Sequence, residues 1–318
     1  MQSILFIAPD FLIILLGAAA AGWLKYPKVF WQWAEKLVFY ILFPPLLFTS
    51  IATSKLTLST STTFLAASII TMFLGVAAAW SVRWFVKVDP VTHASLFQCA
   101  FRFNTYIGFA LCSRIFGDEG FALLALLMAF WVPISNTIAV AVLAHAVARR
   151  DAQQNQASGR GLSSRQVLTS TVSAVVRNPL IIATVCGLLF NISGLTIPGV
   201  ALDFMRHLGS ASLAMGLLCI GAGLQVKGLT SGLKVLAAAT FVRLVVISLF
   251  ALVLIHVFEL PATAAGVLLI FASLPTGQSC YVMTANMRGD APAVANLTTM
   301  HTVAAMVTLP IWISLFIL

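Results

Sequence analysis

The sequence predicts an all-α polytopic membrane protein, with ten transmembrane helices forming two inverted five-helix repeats and broken crossover helices at spans four and nine. Three observations predict it. Of 318 residues, 60% are hydrophobic and 8% charged, with a mean hydropathy of +1.02, whereas soluble domains carry about 25% charged residues. Apolar runs near the roughly 20 residues that a bilayer-spanning helix requires recur along the chain. Short motifs of the first half return in the second at a nearly constant offset.

Taken in order, the apolar runs lie at 3–22, 29–51, 63–86, 90–115, 119–147, 169–190, 201–225, 232–256, 261–286 and 290–316. The first has no leading Lys or Arg and is interrupted by Asp10, so it reads as a mature helix and not a signal peptide. Basic residues favour alternate loops. Lys25 and Lys28 follow span one, Arg83 and Lys87 span three, Arg149, Arg150, Arg160 and Arg165 span five, Lys227 and Lys234 span seven, and Arg288 span nine. The other loops hold mainly Lys55, Arg114 with Asp118 and Glu119, Asp203 with Arg206, and Glu259. The positive-inside rule then puts both termini outside. The chain divides into a first repeat (1–147), a cytoplasmic linker (148–168) rich in Gln, Ser and Gly, and a second repeat (169–318).

A formal charge of +9 scattered through short loops, without interleaved aromatics, is explained by topology and gives no footing for nucleic acid. Cys99, Cys112, Cys186, Cys219 and Cys280 lie in apolar runs without metal-ligand spacing and read as small packing residues.

The repeat rests on alignment of "LLFTSIATSKL" (46–56) with "LLCIGAGLQVKG" (217–228), which sets Lys55 on Lys227, an offset of 172. Gly117-Asp118 falls on Gly289-Asp290 at the same offset, and Pro9 and Gly17 fall on Pro179 and Gly187 at 170. An odd number of spans per half makes the second copy enter the membrane from the opposite side. Inverted repeats of this kind are typical of secondary transporters, whose substrate sites lie at discontinuous helices near the midplane. The predicted breaks are "FRFNTYIG" (101–108) and "SLPTGQS" (273–279), with Asn104 opposite Thr276 and Thr105 opposite Gly277. A Pro275 and a Gly277 inside a lipid-facing helix would be costly unless protein or a cavity satisfied the freed backbone.

The polar residues at the breaks, Asn104, Thr105, Thr276, Gln278 and Ser279, suit a carboxylate. Arg102, too costly to face lipid, has two readings: its guanidinium fork holds a substrate carboxylate, or it pairs structurally with Asp10 or a backbone carbonyl. Arg243 in span eight is a second anion-attracting charge or, the favoured reading, a structural residue. Asp10, read as the only acid well inside an apolar run, is a coupling carboxylate or an exposed or arginine-paired one. His301 titrates near neutral pH and offers proton coupling or a hydrogen bond within the bundle. Asn136, Asn178 and Asn296 read as interhelical glue. No GxSxG, HExxH or paired membrane aspartates support an enzyme.

"NTYIGFALCSRIFGDEG" (104–120) resembles the span-four signature of the auxin efflux carrier family, and "LPTGQSCYVMTA" (274–285) with "VAAMVTLPIWI" (303–313) resembles its last two helices. The likeness covers essentially the whole chain. Arg102 to Gly108 is most similar to bacterial members described as malonate or small organic-anion transporters. The plant auxin exporters have Pro before the matching Asn, where this chain has Phe103.

The resemblance implies the ten-helix architecture shared with bile-acid symporters and sodium/proton antiporters. Spans 1, 2, 6 and 7 then form a scaffold that also makes a homodimer, and spans 3–5 and 8–10 form a crossover domain moving as an elevator in a bacterial inner membrane. The implied function is carriage of a small organic anion such as malonate, with an auxin-like aromatic carboxylate exporter or an anion channel as alternatives. The expected substrate site comprises Arg102, Asn104, Thr105, Pro275, Thr276, Gly277, Gln278 and Ser279, with Asp10, Arg243 and His301 as coupling or charge partners. No cofactor is expected; a coupling proton or sodium ion is left open.

Overall fold

Proline, glycine and charge end each apolar run, and the helices fall between these marks. The computed structural model describes residues 2–53, 58–154, 179–224 and 232–316. Lys55, Lys227, Asn178, most of the linker and the start of the sixth run lie outside the described residues. The helices are α1 Gln2–Trp23, α2 (28–52), α3 Leu58–Phe85, α4 Pro90–Phe97, α5 (105–116), α6 (118–154), α7 Pro179–Ser193, α8 Gly199–Ala222, α9 (233–257), α10 Ala262–Ser273, α11 Ser279–Asn286 and α12 Ala291–Phe316. Among the described residues, six helices are long and apolar enough to cross a membrane. The protein is thus a helical, polytopic membrane protein.

Local chemistry explains the joints. The Asp89 carboxylate accepts from Val91 N and Thr92 N at 2.9 and 3.1 Å and Pro90 opens the first turn, together starting α4. Gly117, at φ 63°, turns α5 into α6 in a conformation that a side chain would resist. Pro44 and Pro45 lack N–H donors, and the preceding turn of α2 widens to a π-helix at Val38–Leu42. A second π turn, Val242–Val246, carries Arg243 in α9.

Two groups of helices result. α1 packs most extensively on α8, and α2 on α7 and α8; the remaining helices pack chiefly among themselves. Asn191 of α7 donates to Ile51 O and Ala52 O at 3.1 and 3.0 Å, satisfying the end of α2. An aromatic cluster of Phe43, Tyr106, Phe109 and Phe121 joins α2 to α5 and α6. The exposed large side chains include Leu12, Leu16, Trp33, Tyr40, Leu189 and Phe204, an apolar surface suited to lipid.

The α1–α8 contact depends on small residues, as helix contacts in lipid generally do. A Cβ on Gly221 would collide with the Ile14 carbonyl, and one on Gly17 with the Leu218 carbonyl. Gly221→Val is therefore expected to lower stability by at least about 1–3 kcal/mol, the usual range for overpacking. Gly22→Val, where nothing lies within 4 Å, should change little. Melting in detergent of the two variants side by side checks this; equal melting temperatures would contradict it.

Candidate functional site

Inside the fourth and ninth apolar runs the chain leaves the helix, between Ala100 and Thr105 and between Ser273 and Ser279. These breaks lie against each other: Phe103 and Thr276 form an isolated antiparallel bridge, and Asn104 N donates to Pro275 O at 2.8 Å. Gly277 is required there, because a Cβ would press on the Phe103 carbonyl. Backbone groups freed inside a membrane protein must find new partners. Trp131 Nε1 donates to Phe101 O at 2.8 Å, and the Thr276 hydroxyl donates to Cys99 O.

Arg243 supplies three more donors. Fully buried, it donates from Nε to Leu274 O at 2.7 Å, from Nη1 to Ala100 O at 3.0 Å and from Nη2 to Phe271 O at 3.2 Å. One guanidinium thus caps the C-terminal ends of both interrupted helices, where the helix dipole is negative. This is the structural reading of Arg243. His301 also sits behind the breaks, fully buried, with Nδ1 at 2.8 Å from Thr276 Oγ1. Because the Cys99 carbonyl only accepts, the Thr276 hydroxyl gives its proton there and accepts from His301 Nδ1–H.

On the other side of the breaks is a cavity of about 280 Å³. Its wall comprises Glu35 and Phe39 of α2; Arg102 to Tyr106; Met128, Val132, Ser135 and Asn136 of α6; Leu180 of α7; Cys219 and Ile220 of α8; and Gly277 to Ser279. The helices α5 and α11 both begin at this wall, so their positive dipole ends and first N–H groups face it. Asn104 Oδ1 accepts from Ile107 N at 3.3 Å as the cap of α5. Gln278 Nε2 donates to Ile220 O at 3.0 Å, tying the second break to the end of α8.

Arg102 lies in the wall with neutral partners. It donates from Nη1 to Gln98 Oε1 at 2.7 Å and from Nη2 to Ser279 Oγ at 3.2 Å, with Met283 Sδ also 3.2 Å from Nη1. Gln98 is itself held by Nε2 donating to Thr284 Oγ1 at 2.8 Å. Among the described residues no carboxylate pairs with Arg102.

Of the expected binding residues, Arg102, Asn104, Thr105, Gly277, Gln278 and Ser279 line the cavity. Pro275 and Thr276 do not; their groups are consumed by the bridge and by Cys99 and His301. Arg243 and His301 stand behind the breaks and do not line the cavity either. The suggested pairing of Arg102 with Asp10 is incorrect: Asp10 Oδ1 accepts at 2.7 Å from Nη2 of Arg114, which lies in the last turn of α5. Asp10 is also not the only acid within an apolar run that matters, since Glu35 of α2 lines the cavity. Asn136, read as interhelical glue, lines it as well.

The geometry just described is that of a chain whose residues 3–313 match the family model described as membrane transport protein. The chain belongs to the auxin efflux carrier family. Family members are membrane transporters and not enzymes, and the match spans both breaks, the cavity and the helices that hold them. No curated protein matches the chain.

Proposed function

We propose that this member of the auxin efflux carrier family is an alternating-access carrier of a small organic anion, such as malonate or another carboxylate, bound where the two breaks meet. The observation that carries the reading is Arg102, a cation whose partners among the described residues are all neutral, in the wall of a small cavity that two helix N-termini also face. The volume, just below the ~300–1,000 Å³ of drug-sized sites, suits a compact cargo.

The two halves then act as inverted five-helix repeats (1–147 and 169–318) joined by the linker 148–168. The packing of α1, α2, α7 and α8 supports a scaffold of spans 1, 2, 6 and 7, and the remaining helices supply the moving crossover domain of an elevator. A second copy docks on the scaffold to make a homodimer. The membrane is a bacterial inner membrane with both termini outside, a reading supported by the alternating loop charges.

The test is uptake of labelled mono- and dicarboxylates into proteoliposomes under imposed pH, sodium and voltage gradients, which also reads any coupling proton or sodium. Saturable uptake is expected. Asn104→Ala and Gln278→Ala should weaken it about tenfold, while Asn104→Ala also costs about 1 kcal/mol of stability through the lost cap. Wild-type uptake by both variants would misplace the site, and flux that never saturates would mark a channel.

A further inference from the structure

The cavity wall holds one acid and one base. Glu35 stands on α2 and Arg102 at the first break, and the other lining side chains are neutral. Glu35 is half-buried within a membrane-spanning helix, where an unneutralised carboxylate is costly and calls for a function or a partner. Among the described residues it makes no hydrogen bond or ion pair, and it lies close enough to the Tyr106 hydroxyl and the Cys219 thiol to interact with them electrostatically. Neither supplies a positive charge. Glu35 thus lines the cavity with the hydrogen-bonding capacity of its carboxylate unspent among the described residues.

This arrangement narrows the cargo class proposed above: a dicarboxylate such as malonate would fit as its monoanion and not fully ionised. In a cavity of about 280 Å³ that Arg102 and Glu35 both line, a dianion held by Arg102 would share the space with a second negative charge, and like charges in a partly dehydrated cavity repel strongly. A cargo with a hydrogen-bond donor at its far end instead satisfies both walls. Building on the proposal that the cavity is the transport site, we infer that Arg102 and Glu35 together select a compact carboxylate that carries a proton-bearing group, an ammonium, a hydroxyl or an undissociated acid, at its opposite end. Arg102 takes the carboxylate and Glu35 accepts from the donor. Glu35 is the specificity-determining residue, since it rejects what Arg102 alone would accept.

The test is binding to the detergent-purified full chain at pH 8, read as ligand-dependent melting. Four probes of similar size separate the cases: β-alanine (zwitterion), 3-hydroxypropanoate (donor, one charge), propanoate (no donor) and succinate (two charges). The wild type should bind β-alanine and 3-hydroxypropanoate most tightly and succinate most weakly. Glu35→Gln removes the charge at nearly constant shape; it should weaken β-alanine about tenfold and strengthen succinate by a similar factor, the size of one charge-assisted hydrogen bond gained or lost. Glu35→Asp, which keeps the charge, should keep the wild-type order. An unchanged order in Glu35→Gln, with all four probes weakened by Arg102→Gln, would overturn the inference and leave the cavity as the anion site. Unchanged binding in Arg102→Gln and Gln278→Ala as well would overturn the cavity reading, and the role of Glu35 with it.

Discussion

Arg243→Met is expected to cost the protein its fold. Methionine fills most of the arginine's volume but offers no donor, so Leu274 O and Ala100 O lose theirs and Phe271 O keeps only the long 3.4 Å contact from Leu274 N. Each orphaned buried acceptor costs about 1–3 kcal/mol. Removing a buried charge returns part of this, because its desolvation is no longer required. The net loss should still reach about 3–5 kcal/mol, the range seen when one side of a buried charged contact is removed. It concentrates where both interrupted helices end. Arg243→Lys keeps the charge and can reach one carbonyl, not three, because an ammonium is a point donor and a guanidinium a fork. It should melt between the wild type and Arg243→Met. Folded yield after solubilisation and melting temperature in detergent check the series. A methionine variant that melts with the wild type would mean that the breaks hold without their cap.

This contact explains why the helices were legible in the sequence and the support of the site was not. Membrane helices announce themselves by local composition, and among the described residues the helices observed lie within or close to the apolar runs, six of them long and apolar enough to cross a membrane. The breaks were legible for the same local reason, since Pro275, Gly277 and Asn104 are expensive in an uninterrupted apolar helix. The partners of Arg243 lie 28, 31 and 143 residues away, and nothing local points to them. Asp10 likewise meets Arg114, 104 residues on, and not Arg102. Arg102 lies in the first break itself, whereas α5 carries Arg114 beyond it to Asp10. Glu35 stands beside Lys36 near the start of its run, so it resembles an interfacial charge pair; only the fold turns it into the cavity. Thr276 errs in the opposite sense, a polar residue at a break whose hydroxyl is spent on backbone and histidine.

Arg102→Gln is expected to lower transport by about 10–100-fold, the equivalent of one charged hydrogen bond to a carboxylate. Arg102→Lys should keep part of the activity, because a cation remains while bidentate geometry is lost. The effect on stability should be small: Ser279 Oγ can turn to the cavity, and only Gln98 Oε1, fully buried, loses its donor, at a cost of about 1 kcal/mol. A purely structural Arg102 predicts the reverse, with transport falling only as far as the folded fraction falls. The ion pairing separates the two. Asp10 pairs with Arg114, so Asp10→Asn should restore stability to an Arg114→Gln chain, whose Asp10 is otherwise left buried without its counter-charge. The same Asp10→Asn change should restore neither stability nor transport to Arg102→Gln. Uptake and melting temperature measured on all the single and double variants decide the matter. Rescue of Arg102→Gln by Asp10→Asn, or wild-type uptake by Arg102→Gln alone, would take the substrate carboxylate away from Arg102.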